Sequence, residues 1–239
     1  MSMKDIFGVP NAARHKDDGE HWISMSDLMA GLMMVFLFIS VAYMRYAEHE
    51  KDKVKELAVA YQKSQVALYE ALNAEFKNEL PVWDAEIDKT TLEFKFKSPE
   101  VLFSVGDIAL KGNFKTILDN FFPRYLKILK QFDEDISEIR IEGHTSSVWN
   151  GSTNPDDSYF KNMQLSQGRT RSVLQYIYLL PAIEKDKDWV KKTFAAVGFS
   201  SAHPIVNDNG REDEERSRRV SFRVLTNAEL QIQRIIQGK

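Results

Sequence analysis

Apolar and polar residues alternate with three different rhythms along this chain. From Leu28 to Met44 the run LMAGLMMVFLFISVAYM carries no charge, and the lead-in WISMSD extends the apolar stretch back to Trp22 with one acid inside it. About 20 apolar residues cross a bilayer as a helix, so a transmembrane helix is predicted over 22–46, behind a tail of residues 1–21. Trp22 at one end and Tyr43 and Tyr46 at the other suit the membrane interface, and Arg45 marks the far edge. A cleaved signal peptide is the competing reading. The acids Asp17, Asp18 and Glu20 before the run, its length and the absence of a small-residue cleavage site after it speak against that.

The second rhythm covers 47–81, a stretch of helix formers with no Gly or Pro before Pro81, where a helical linker is predicted to end. Val54, Leu57, Tyr61, Leu68 and Ala71 fall near a heptad seam interrupted by Ser64, which fits either a dimerising helix or a solvated spacer.

The third begins at Thr90. Leu92, Phe94 and Phe96 alternate as in a half-buried strand. Phe114, Ile117, Leu118, Phe121, Phe122, Tyr125, Leu126 and Leu129 mark a helical face, with Pro123 a candidate break. Ile139 and Ile141 alternate in a second strand, a polar loop through Trp149, Gly151 and Pro155 leads to a helix from Leu165, and TFAAVGF and RRVSFRVL read as two more strands. The predicted class is α+β: a β-α-β-α-β-β domain over 90–226 with two helices on one sheet, followed by a helical tail over 227–239.

Composition narrows the chemistry. Thirty-two basic and 35 acidic residues give 239 residues a formal net charge of -3 without a basic stripe, so nucleic acid is not an expected partner. There is no cysteine, which removes disulfides and thiolate chemistry. No nucleophile constellation surrounds His144, which reads as a hydrogen-bonded residue at a strand end, and no enzyme is predicted. Asn207, Asp208, Asn209 and Gly210 lack the remaining spacing of a calcium loop and read as a turn; the acids from Glu212 to Glu215 read as a solvated face. No metal site and no cofactor are expected, apart from a transported H+ or Na+.

Asp27 is the residue that carries function. An acid inside a membrane span costs about 2.5–3.5 kcal/mol at mid-helix and so usually has a task; the plain alternative is a cap at the helix N-terminus. Ser24, one turn earlier, is a candidate for an ion path, although Ser at a helix start is more often only a cap. Ala30 and Gly31 permit close helix approach. Basic residues flank the span on both sides, Lys4, Arg14 and Lys16 before it and Arg45, Lys51, Lys53 and Lys55 after it, so the positive-inside rule does not orient it.

Trp22 and the run from Ser24 to Phe38 resemble the single membrane helix of MotB-type stator subunits, with Asp27 on the family's essential aspartate. FSVGDIAL from Phe103, IEGHTSS from Ile141, LSQGRTRSVLQYI from Leu165 and SRRVSFRV from Ser217 follow the order of an OmpA-like peptidoglycan-binding domain. The resemblance implies an arginine for a peptide-stem carboxylate, which Arg169 matches, and an aspartate for its amine, where Ser146 stands instead. Asp156 or Asp157 is a candidate replacement, although loop acids are ordinarily solvated. Arg218 and Arg219 match the paired-arginine strand, one expected in a structural ion pair and one facing the ligand groove beside His144. The resemblance further implies a homodimer inside a ring of A-type membrane subunits, expected to be pentameric. It places the chain in the bacterial inner membrane, with the C-terminal domain in the periplasm on peptidoglycan. Among stators the Ser-Asp-Leu-Met-Ala-Gly-Leu-Met-Met stretch is most similar to B subunits of Zorya-type anti-phage defence systems. A flagellar stator and a static envelope anchor are the alternatives; TolR- and ExbD-type transporters share the membrane acid but lack the C-terminal domain. A lone carboxyl suffices for H+, and Na+ stays open.

Overall fold

A computed structural model describes residues 18–97 and 102–227, with side chains from Met25 onward except at Leu57. The tail up to residue 17, the side chains of Trp22, Ser24 and Leu57, and the predicted C-terminal helix beyond 227 lie outside the described residues. The chain divides into two compact units, residues 1–55 and 56–239.

The first unit is the leading part of helix α1 (Asp18–Phe76). Its described apolar side chains, among them Leu28, Met33, Phe36, Leu37 and Phe38, are exposed, with no other described residue covering them. The stretch is long and apolar enough to cross a membrane. The Ser40 hydroxyl donates to the Phe36 carbonyl at 2.8 Å, so this hydroxyl in the apolar run is satisfied by its own helix.

The second unit is built on a five-stranded sheet in the order β1 (Ala85–Ile87), β2 (Glu93–Phe96), β5 (Arg219–Thr226), β3 (Ile136–His144), β4 (Phe194–Ser200). All neighbours are antiparallel except β3 and β4. That parallel pair needs a crossover, supplied by α3 (Pro155–Tyr178) and the short α4 (Lys187–Thr193). Helix α2 (Gly112–Leu129) lies between β2 and β3 in sequence and runs unbroken through Pro123. A single turn, α5 (Glu214–Ser217), precedes β5.

The predicted order of six elements is present, with the short helices α4 and α5 added, α1 ending at Phe76 before the predicted Pro81, and three further differences. Helix α3 starts ten residues before Leu165, because Asn154 caps it by accepting the Asp156 amide at 2.9 Å and Pro155 presets the first helical φ. A three-residue strand, β1, extends the sheet beyond β2, too short to show a period. The third concerns the linker: the last turns of α1 are core, not spacer, with Leu68, Leu72 and Phe76 fully buried at intervals of four residues.

One sheet face is apolar and covered. Phe94, Phe96, Ile139, Ile141, Val220, Phe222 and Val224 meet Phe114, Leu118, Phe121, Phe122 and Tyr125 of α2 and Val173 and Ile177 of α3. Arg124 fastens α1 to α2 by donating to Glu75 Oε1 at 2.6 Å and Glu79 Oε1 at 2.9 Å, with its guanidinium 4.8 Å from the Phe76 ring. Helix α3 approaches the sheet where β3 and β4 have glycine: a Cβ on Gly143 would stand 2.8 Å from the Ser166 carbonyl, and one on Gly198 2.5 Å from the Gln167 nitrogen. Because Gly143 faces α3, its neighbours Glu142 and His144 point to the other face.

Candidate functional site

Two places carry the predicted chemistry, and each lies within its own unit. In the first, Asp27 sits more than two turns inside α1, which begins at Asp18. Caps act at the flanking residue and the first turn, so the helix-cap alternative is removed. Asp27 is exposed, between apolar residues that are exposed as well, such as Met25, Leu28 and Met29. It has no hydrogen-bond or ion-pair partner among the described residues. A Cβ on Gly31 would meet nothing within 4 Å, so this surface is open to another helix. Ser24 lies in the same helix, with its side chain outside the described part.

The second is a cleft of about 230 Å³ in the folded unit, lined by Phe103, Val105, Thr145, Ser146, Val148, Trp149, Asn162, Leu165, Arg169, Glu214 and Arg218 among others. Arg169 reaches it from α3. Its Nε donates to the Asp107 carbonyl at 3.0 Å and its Nη2 to the Ser104 carbonyl at 3.2 Å, and its guanidinium lies 4.8 Å from the Phe103 ring. Nη1 takes part in neither bond. Burial pulls the guanidinium down to about 10; Asp107 opposes the shift and Arg218 adds to it. It therefore remains a cation at neutral pH, held in place before any ligand arrives.

Ser146 and Thr145 form the opposite wall just past the end of β3, and both are buried. Asn162 of α3 shapes this loop by donating to the Ser146 carbonyl at 3.1 Å and the Val148 carbonyl at 3.3 Å. From the far side Glu212 accepts the Ser147 amide at 3.0 Å and its hydroxyl. The acid that reaches the cleft is Glu214, whose Oε2 is 3.9 Å from Arg218 Nη1. A carboxylate, two guanidinium groups, hydroxyls and aromatic walls can hold both ends of a small zwitterion.

The sequence-predicted residues divide accordingly. Arg169, Ser146 and Arg218 meet in the cleft. Asp156 and Asp157 do not: they occupy the first turn of α3, where Asp157 pairs with Lys161 at 2.7 Å and accepts from Ser152. Arg219 and His144 also lie outside it. Arg219 takes the structural role through carbonyls and not through the expected ion pair, its Nη1 donating to the Ser217 carbonyl at 3.1 Å and, with Nη2, to the His203 carbonyl, while the ion pair is that of Arg218 with Glu214. His144 is buried at the end of β3 and stacked on Phe199 with ring centroids 5.2 Å apart; its ring has no hydrogen bond. His144 ends β3 as expected, and in place of a hydrogen bond its Nε2 faces Glu142 Oε2 at 3.6 Å. Burial depresses its basicity, Arg219 adds to that, and Glu142 opposes it.

Glu214 is a residue the sequence reading assigned to a solvated face. Its signal was the i,i+4 spacing to Arg218. The Asn207–Gly210 turn is as predicted, with Asn207 Oδ1 accepting the Asn209 and Arg211 amides at 3.1 Å and Gly210 at φ +72.

Sheet order and the helices on one face define an α+β fold of the MotB-like kind, behind an apolar leading helix. The structure of a putative MotB-like protein from Desulfovibrio vulgaris superposes with a TM-score of 0.50 and 22% identity, covering 73% of this chain and 99% of that one. No family model matches the sequence. The chain is 64% identical over 220 residues to the Zorya protein ZorB of Escherichia coli (strain ATCC 8739), covering 92% of this chain and 94% of that protein. It belongs to the ZorB family.

Proposed function

We propose that this chain is the B subunit of an ion-driven membrane motor that works in Zorya-type anti-phage defence. The observation that carries the reading is the 64% identity to ZorB over nearly the whole of both chains. The geometry supports it at two points. An unpartnered carboxyl at Asp27 sits well inside a membrane-length apolar helix, and one helix cannot enclose an ion path unaided. The required partner is a ring of A-type membrane subunits, pentameric in this reading, surrounding a homodimer of this chain. Protons bind and leave the paired Asp27 carboxyls, and the ring turns against the dimer.

The dimer resists that torque by holding peptidoglycan in the cleft of the periplasmic unit, with the helix crossing the inner membrane. A peptide-stem carboxylate meets Arg169 and Arg218, and its amine meets Glu214, in the role that the aspartate replaced by Ser146 would have had. No bond is made or broken, so the protein is a transducer and not an enzyme. Deleting this chain from its operon tests the assignment: phage plating efficiency rises while swimming is unchanged. Lost swimming with unchanged plating moves the assignment to a flagellar stator.

A further inference from the structure

The sheet face turned away from α2 and α3 holds a buried polar group that neither the membrane carboxyl nor the cleft uses. Glu93 on β2 and Glu142 and His144 on β3 are 8%, 3% and 4% exposed. One ligand atom from each lies within 4.8 Å of the other two. Strand β5 runs between them, and there the register sets Ser221 directly opposite both Glu142 and Lys95, so a small side chain leaves room between the two carboxylates.

Each of these groups keeps a polar atom that the protein leaves without a hydrogen bond, although Glu142 Oε2 stands 3.6 Å from His144 Nε2 and Glu93 Oε2 3.5 Å from Lys95 Nζ. Glu93 Oε1, Glu142 Oε1, both ring nitrogens of His144 and the Ser221 hydroxyl are buried without a hydrogen bond. The neighbouring cations are shared with other groups: Lys95 Nζ lies 3.1 Å from Asp88 and 3.5 Å from Glu93 Oε2, and Arg219 acts on both acids through its charge while giving its terminal nitrogens to carbonyls. Buried carboxylate oxygens and ring nitrogens left without a hydrogen bond are costly, and one cation among them lowers that cost.

We propose that Glu93, Glu142 and His144 form a binding site for a divalent transition-metal ion, Zn2+ by its donor set, with Ser221 or a water as fourth ligand. Zn2+ takes His nitrogen and carboxylate oxygen at about 2.0–2.2 Å in tetrahedral geometry, which puts ligand atoms about 3.4 Å apart, so side-chain rotations that draw these atoms together by up to about 1.4 Å complete the site. The imidazole disfavours Mg2+ and Ca2+, and the absence of thiolates disfavours Cu(I). The site fastens β2 to β3 across β5 and is independent of the cleft reading.

The full chain, purified in detergent and stripped with a chelator, is given Zn2+ and desalted; its metal content and thermal midpoint are then read. The wild type retains about one equivalent and its midpoint rises with Zn2+ but not with Mg2+. Glu142→Gln and His144→Gln lose both effects, while His203→Ala, whose ring is 6.1 Å from that of His144, keeps them. Circular dichroism checks folding, and Glu93→Gln decides if either of the first two variants fails to fold. No retained Zn2+ in the wild type, retention undiminished in a folded ligand variant, or an equal response to Mg2+ overturns the site.

Discussion

The ring of Phe76 meets that of Phe94 edge-on, with centroids 5.5 Å apart. The last turn of α1 is thereby packed on β2, and the same ring contacts Trp83 and Phe121. Removing a fully buried aromatic ring leaves a cavity and costs about 3–5 kcal/mol. Phe76→Ala in residues 56–239 should lose about that much in urea unfolding, whereas Val59→Ala, 58% exposed in the same helix, should stay within about 0.5 kcal/mol. Equal effects would mean that α1 is a spacer after all.

Asp88 closes the turn into β2. Its Oδ1 accepts the Thr90 and Thr91 amides at 2.8 and 3.0 Å, and its Oδ2 faces Lys95 Nζ at 3.1 Å. Burial pushes this carboxyl up, but the Thr91 amide, Lys95 and the Thr90 amide together outweigh it and hold the carboxyl below its ordinary 3.8. A depressed folded value means that the ionised form stabilises the fold above pH 3.8 and that the benefit disappears as pH falls through the folded value. Asp88→Asn should cost about 1 kcal/mol at pH 7 and progressively less below pH 4. A cost that is the same at pH 7 and pH 2.5 would contradict the charge argument.

The cleft reading separates three acids and bases by position. Arg169→Ala should weaken co-sedimentation with purified peptidoglycan sacculi by about tenfold or more, and Glu214→Gln by a smaller factor. Asp157→Asn should change nothing, since that acid is committed to Lys161 and Ser152. Loss through Asp157 with Glu214 silent would reverse the assignment of the amine partner.

Strong periodicity made most of this fold legible. Phe94 and Phe96, Ile139 and Ile141, and Val220, Phe222 and Val224 alternate because the sheet has one covered face, and a single acid in an apolar helix is visible in any register. The polar residues between them were equally regular, yet Glu93, Glu142 and His144 converge across three strands whose order no local pattern reveals. The burial of Leu68, Leu72 and Phe76 was hidden differently. A repeat of four fits a partner helix as well as a sheet, and only the tertiary contact decides. Ser146 and Glu214 are far apart in sequence, so the replacement of a local acid by a distant one needed the fold to bring β3 and the turn before β5 together.

Asp27→Asn, expressed to the wild-type level in the native operon and membrane, is the most direct test of an ion-driven defence motor. Its side chain keeps nearly the same shape and loses the ability to carry a proton. The account predicts that phage plate on the variant as on cells without the operon, while motility and membrane assembly are unchanged. Full protection from phage in the Asp27→Asn strain would contradict it.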